Sequence, residues 1–172
     1  MCTYGGAYHP GSIVEHTLAE KDAVAAAGLG RDGDVVLLDA GTTVGRLAAR
    51  LPNRSGLTAV TNGSSALLAL ADSPEAGVIV LGGRLRYPNE AIVGSTAGQQ
   101  LRSITPDVVF LGADGLVAGR GRCAPTLEQA QLKHVMLYAA RTAVVLAGHS
   151  KLGASPFPYW APLDRPYTPG RG

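Results

Sequence analysis

The sequence VVLLDAGTTVGR, residues 35–46, decides the fold. It begins with an apolar run typical of a buried strand, passes through Asp39 into a Gly41-Thr42-Thr43 turn, and leads into a helical pattern over 44–51. Such a turn can bind an anion, because the first N–H groups of a helix are unpaired, the helix dipole is positive there, and glycine admits a phosphate. The two threonines would add hydroxyl donors and an N-cap. An ordinary strand-to-helix turn capped by threonine explains the segment equally well, so its meaning depends on the rest of the chain.

The composition predicts one domain with a substantial core. The chain has 172 residues, of which 46% are hydrophobic and 16% charged. Its net charge of +2 is mild and its basic residues are scattered, which argues against a nucleic-acid-binding surface. Two cysteines cannot form a disulfide framework. Because the sequence opens with no signal peptide and contains no apolar run of roughly 18 residues, we expect a cytoplasmic protein without a membrane partner.

Strands and helices are predicted to alternate along the chain. After the opening strand, further strands are expected over 57–61, 78–81, 108–111 and 142–147. Helices are expected over 15–27, 64–71, 96–102 and 126–140, with a hairpin within 84–95 and a Gly/Arg loop over 116–125. This alternation predicts an α/β fold with a mostly parallel sheet flanked by helices.

Small or polar residues follow each of the five predicted strands. The five sets are 39–43, 61–62, 82–83, 112–115 and 149–151. The carboxyl ends of parallel strands meet at one edge of a sheet, where open α/β sheets bind ligands. No single turn is specific, but their coincidence predicts a binding crevice at that edge.

Several motifs occur together in a specific order. They are GGA at 5–7, Glu20-Lys21, LDAGTT at 38–43, VTN at 60–62, LGGRLR at 81–86, IVGSTA at 92–97, FLGADG at 110–115, the run 128–133 and HSKLG at 149–153. In this order and spacing, from Gly5 to Gly153, the chain resembles the C-terminal effector-sensing domain of DeoR-type transcriptional repressors. LDAGTT, GADG and the final SKxG are together highly specific, whereas each alone would be weak.

The resemblance implies a fold like that of ribose-5-phosphate isomerase and CoA transferases, and a phosphorylated sugar or similar metabolite as effector. Such repressors carry a winged helix-turn-helix before GGA, so operator DNA would be contacted only through that missing N-terminal domain. The expected organisation is an extended arm over 1–14, an effector-binding domain over 15–153 and an irregular tail over 154–172. Relatives usually continue into another strand and helix, so an uncovered sheet edge would favour a homo-oligomer.

The resemblance also suggests candidate ligand-binding residues. The full set is Asp39, Gly41, Thr42, Thr43, Thr61, Asn62, Gly82, Gly83, Arg84, Asp114, Gly115, Glu128 and Lys151. The 41–43 turn and Lys151 would hold the phosphate, Arg84 or Arg86 could clamp one of its oxygens, and Asp114 would bind sugar hydroxyls. Asp39 would either bind hydroxyls or brace the turn, and Glu128 could simply favour the positive end of its helix.

Two other functions remain open from the sequence. A sugar-phosphate isomerase would need a general base and a group that stabilises an enediolate. Gly115 stands where isomerases have a second acid, and the loop over 119–123 lacks their lysine, so we expect binding rather than catalysis. Gly148 and Cys123-Ala124 replace oxygen ligands common in DeoR-type proteins, which leaves a ligand-free oligomerisation module as the third possibility. No metal or cofactor is expected, because His9, His16 and His134 lack ligand spacing.

Overall fold

A computed structural model describes residues 13–15, 33–51 and 55–165 of the chain. Its centre is a six-stranded parallel sheet in the order β1-β10-β7-β2-β3-β4. These strands are β1 (Ile13–Glu15), β2 (Val35–Leu38), β3 (Thr58–Thr61), β4 (Gly77–Val80), β7 (Val108–Gly112) and β10 (Thr142–Ala147). The predicted mostly parallel α/β architecture is confirmed.

Helices and short strands complete the fold. The helices are α1 (Thr42–Ala48), α2 (Ser64–Leu70), α3 (Ser95–Leu101) and α4 (Leu127–Ala139). A separate antiparallel hairpin joins β5 (Arg84–Arg86) to β6 (Ala91–Val93). A second small antiparallel sheet contains β8 (Leu116–Val117), β9 (Gly121–Ala124) and β11 (Tyr159–Ala161). A 3-10 helix, His149–Lys151, follows β10.

The inner strands β2, β3, β7 and β10 are largely buried, which explains why they are continuous apolar runs, whereas β4 is mostly exposed. Alternation along β2 sends Val36 and Leu38 into one hydrophobic cluster and Leu37 into another. The first cluster packs under α1 and α2, and the second under α3 and α4. The strand ends are thereby held rigidly enough to position the residues that follow them.

Sequence and structure differ at both ends of the described chain. Residues 13–15 form β1, although the sequence indicated no strand there and a helix from residue 15. The rest of that predicted helix and most of the 1–14 arm lie outside the described residues. The 116–125 loop contains β8 and β9, and the irregular tail contains β11, which pairs Tyr159 with Ala124. β8 and β9 were missed because they are short, and β11 because it is short and pairs with a distant part of the chain. No helix in the described ranges has the length and apolarity needed to cross a bilayer.

Candidate functional site

A cleft of about 150 Å³ lies at the carboxyl edge of the central sheet. It is lined by residues that follow β2, β7 and β10, together with one residue from α4 and one from the β5–β6 hairpin. The lining residues are Ala40, Gly41, Thr42, Thr43, Val44, Asn89, Gly112, Ala113, Asp114, Lys133 and Lys151. The cleft therefore brings together Gly41, Thr42, Thr43, Asp114 and Lys151 from the predicted set.

The turn after β2 differs from the prediction in one detail. Gly41, not a threonine, is the N-cap of α1, and no side chain accepts a hydrogen bond from the first turn. Gly41 has φ of 134°, which favours glycine although a Cβ there would meet nothing within 4 Å. Thr42 is exposed and Thr43 is half-buried. The hydroxyls are not used for capping, and no acidic residue lies in the first turn.

Asp39 lies beneath this turn and braces it. Its side chain is 2% exposed and accepts hydrogen bonds from the N–H groups of Ala40, at 2.8 Å, and Gly112, at 3.1 Å. It also forms an ion pair with the Lys133 ammonium. Of the two roles considered for Asp39, bracing is therefore the one that accounts for its hydrogen bonds, which join the ends of β2 and β7.

Lys133 supplies a buried cation; it ends the 128–133 run that carries the resemblance but was not among the predicted ligand-binding residues. Its side chain comes from the middle of α4, is 5% exposed as a residue, and also donates to the carbonyl oxygen of Gly112 at 3.2 Å. The buried Arg122 guanidinium donates to the Lys133 carbonyl at 3.1 Å, which ties α4 to β9. Its position at the end of the 128–133 run was the sequence signal, and the structure adds the physical reason, since a carboxylate buried after β2 requires a counter-charge.

The remaining polar groups of the cleft come from three separate segments. Asp114 follows β7 and is half-buried, whereas Lys151 ends the 3-10 helix and is exposed. Asn89 lies in the turn of the β5–β6 hairpin, and its Oδ1 accepts a hydrogen bond from Nη1 of Arg86 at 2.9 Å. The cleft thus combines ammonium, carboxylate, amide and hydroxyl groups.

Thr61 and Asn62 are buried away from the cleft lining. Thr61 Oγ1 donates to the carbonyl of Leu38 at 2.9 Å and accepts from the N–H of Gly63 at 3.0 Å. Asn62 Nδ2 donates to the carbonyl of Ile92 at 3.2 Å. These two side chains fix the end of β3 and attach the β5–β6 hairpin to it, rather than lining the cleft.

The two glycines after β4 also have local structural roles. The Gly82 N–H donates to Oε1 of Gln100 on α3 at 2.7 Å. Gly83 has φ of 148°, and a Cβ there would lie 2.4 Å from the carbonyl oxygen of Val93. Close approach of the two hairpin strands therefore requires glycine at position 83.

Arg84, Glu128 and Gly115 likewise lie outside the cleft lining. Arg84 Nη2 forms a 2.9 Å salt bridge with Oε2 of Glu128, and both side chains are exposed. Glu128 borders a different pocket, between α3 and α4. At Gly115 an added Cβ would lie 2.3 Å from the carbonyl oxygen of Ala154, so this glycine permits close chain packing. Within the described ranges, no group of three or more His, Cys, Asp or Glu side chains is arranged to hold a metal ion.

The family model and the curated relatives that the chain matches all represent transcriptional regulators. The family model for the DeoR C terminal sensor domain matches residues 17–168. The chain is 35% identical over 134 residues to the HTH-type transcriptional regulator GlpR of Haloferax volcanii, covering 77% of this chain and 52% of that protein. It is 34% identical over 139 residues to the HTH-type transcriptional repressor GlcR of Bacillus subtilis, covering 81% and 53%. The chain spans about half the length of the curated relatives that it matches.

Solved structures share the fold at low sequence identity. Ribose 5-phosphate isomerase A of Methanocaldococcus jannaschii matches with a TM-score of 0.52 and 20% identity, covering 77% of this chain and 51% of that one. The eIF2B delta subunit of Chaetomium thermophilum matches with a TM-score of 0.54 and 14% identity, covering 80% and 48%. An isomerase and an eIF2B subunit thus share this architecture, so the fold alone does not decide the function.

Proposed function

The chain belongs to the DeoR family of transcriptional regulators as a C-terminal sensor domain, and we propose that its cleft binds a phosphorylated sugar or a similar metabolite. One observation carries the proposal. The uncapped start of α1, its two threonines and the Lys151 ammonium line the same cleft.

The phosphate end of the ligand would bind at residues 41–43 and Lys151. Backbone N–H groups and threonine hydroxyls are good donors to phosphate oxygens, and Lys151 adds a positive charge. Gly41 keeps the approach to the turn open, because it carries no side chain. Thr42 is exposed, so an anion entering from solvent can reach it without a rearrangement of the core.

The hydroxylated end of the ligand would meet Asp114. A carboxylate accepts hydrogen bonds from hydroxyl groups, but it would repel a second phosphate. The Asp39–Lys133 pair is neutral as a unit and keeps the strand ends fixed beneath the ligand. This mixture of charges favours a ligand with one anionic end and one polyol end.

Regulation rather than catalysis is indicated by the relatives, which are transcriptional regulators. An isomerase needs a general base and a stabilised enediolate. Glu128, the second acid considered for that role, pairs with Arg84 outside the cleft. Among the described residues that line the cleft, Asp114 is then the carboxylate left for proton transfer, because Asp39 is held by Lys133 and two backbone N–H groups.

The ligand would act through a separate DNA-binding domain. Binding can bias operator release only if one arrangement of the whole protein binds the ligand more tightly than another. We further propose that residues 15–153 form the effector-binding domain, that the protein is a cytoplasmic homo-oligomer, and that operator DNA is contacted outside this chain.

Thermal stability measured with and without ligand tests the proposal. Inorganic phosphate, glycerol 3-phosphate, ribose 5-phosphate and glucose 6-phosphate are the probes, with ribose as the phosphate-free control. A ligand at about 100 times its Kd stabilises by roughly 2.7 kcal/mol, which for a chain of this size raises Tm by roughly 5–10 °C. Product analysis of the same samples distinguishes a sensor from an isomerase.

Variants at Thr43 locate the binding site. Thr43→Glu should abolish stabilisation by every phosphorylated probe, because its carboxylate repels phosphate. Thr43→Ser keeps the hydroxyl and should retain most of the effect. If the phosphorylated probes stabilise Thr43→Glu as much as they stabilise the wild type, the proposed phosphate site is contradicted. If ribose stabilises the wild type and the phosphorylated probes do not, the proposed ligand class is contradicted.

A further inference from the structure

The β5–β6 hairpin contributes a polar side chain to the cleft, although it is not part of the central sheet. Among the residues that the structure describes, Asn89 is the hairpin's contribution to the cleft lining. Gly41, Thr42 and Asp114 line the same cleft. A residue from an independent element therefore borders the cleft that we assign to ligand binding.

The hairpin is attached firmly to the end of β3. The N–H of Ile92 donates to the carbonyl of Asn62 at 2.7 Å, and Asn62 Nδ2 returns a hydrogen bond to the carbonyl of Ile92 at 3.2 Å. Ser64 Oγ donates to Oε2 of Glu90 at 2.6 Å, directly beside Asn89. These contacts position the turn on the same rigid framework that carries the phosphate-binding segment.

Arg86 sets the orientation of the Asn89 amide. A guanidinium can only donate hydrogen bonds, so the group that faces Nη1 of Arg86 at 2.9 Å must be the amide oxygen. The NH₂ group is then the other arm of the planar amide and has two hydrogens to donate. Oxygen atoms of sugar hydroxyl or carbonyl groups are suitable acceptors for them.

We infer that Asn89 is a specificity-determining residue that donates a hydrogen bond to the sugar portion of the ligand, and that Arg86 positions it. The inference rests on the proposed function, because it assumes that a phosphorylated sugar occupies the cleft. A neutral amide adds little to the binding of phosphate, for which N–H groups, hydroxyls and Lys151 already provide donors and charge. Asn89 should therefore distinguish a sugar phosphate from phosphate alone.

Isothermal titration of inorganic phosphate, ribose 5-phosphate and glucose 6-phosphate tests this inference in the full chain. The wild type should bind at least one sugar phosphate more tightly than inorganic phosphate. Asn89→Ala should lower the affinity for that sugar phosphate by about tenfold, the usual effect of one lost hydrogen bond. Its affinity for inorganic phosphate should stay within about twofold of the wild-type value. Tyr87→Phe changes an exposed residue of the same turn and should alter neither affinity.

Variants at Arg86 test the positioning role. Arg86→Ala should weaken binding of the sugar phosphate more than binding of inorganic phosphate, and Arg86→Lys should restore part of that difference because an ammonium can also donate to the amide oxygen. If Asn89→Ala does not fold, Asn89→Ser carries the same comparison.

The outcomes separate the two proposals. Undiminished preference in Asn89→Ala, equal losses for both ligand types, or a wild type that binds phosphate and sugar phosphates equally would overturn the role of Asn89 while leaving the phosphate site intact. A wild type that binds none of the probes would overturn the proposed function, and the role of Asn89 with it.

Discussion

Replacement of Lys133 by methionine should strongly destabilise the domain, because it leaves the Asp39 carboxylate buried without its counter-charge. Asp39 is 2% exposed and would keep only its hydrogen bonds from the N–H groups of Ala40 and Gly112. Methionine matches the length of the apolar lysine stem, so the loss of packing is small. The effect should therefore report mainly on the charge.

The expected magnitude follows from the burial of both partners. Breaking a buried ion pair by removing one partner typically costs about 3–5 kcal/mol. That is a large part of the roughly 5–15 kcal/mol that stabilises a typical domain. For a chain of this length it corresponds to a fall in Tm of roughly 6–20 °C.

Urea unfolding of four proteins measures the pair directly. The wild type, Lys133→Met, Asp39→Asn and the double variant form a double-mutant cycle. The double variant removes both charges of the pair, so it should be more stable than Lys133→Met alone, with a coupling free energy of about 2 kcal/mol. The reasoning is refuted if Lys133→Met loses less than about 1 kcal/mol, or if the two single effects simply add.

Two further predictions concern helix packing and pH. Gly45→Ala should destabilise by about 1–3 kcal/mol, because its Cβ would lie 2.6 Å from Cβ of Ser65 where α1 meets α2. Gly98→Ala, in α3 with nothing within 4 Å of its Cβ, should instead stabilise by about 0.5–1 kcal/mol, and thermal unfolding compares the two. The pKa of Tyr138 is raised because its hydroxyl donates to Asp164, so Asp164→Asn should lower the midpoint of phenolate formation in ultraviolet absorbance toward the usual value of about 10. The Tyr138 contribution to stability is complete below that usual value and is lost as pH rises through the folded-state pKa, so a midpoint unchanged in Asp164→Asn would contradict the assigned cause.

The central sheet could be predicted from the sequence because its signal is local. Strands buried on both faces are continuous apolar runs, and β2 and β10 were predicted with the bounds that the structure gives. The small sheet of β8, β9 and β11 has no such signal. Arg122 is fully buried within β9, contrary to the usual exposure of arginine, and Tyr159 pairs across a long sequence separation with Ala124.

The candidate site could be predicted where its residues are close together in the sequence, and not where they come from distant elements. Residues 41–43 were identified because a strand, a turn and a helix start follow one another directly in the sequence. Lys133 was not, because its partner Asp39 is 94 positions away and a lysine in a helix normally faces solvent. Asn89 was missed because a hairpin turn gives no sign of the element toward which it folds. Asn62 was interpreted as a ligand-binding residue, although its hydrogen bonds position that hairpin.

The strand order determines when each strand of the central sheet can pair during synthesis on the ribosome. Among the described residues β1 pairs with β10 in the central sheet, Ile13 opposite Val145, so β1 cannot take this place until residues 142–147 have been synthesised. β2, β3 and β4 are neighbours in both sequence and space and can assemble early. β7 and β10 join the sheet afterwards. Their pairing costs more loop entropy, because longer chain segments separate them from their partners. A nascent chain interrupted before residue 142 therefore leaves one edge of β7 open to pairing with other chains.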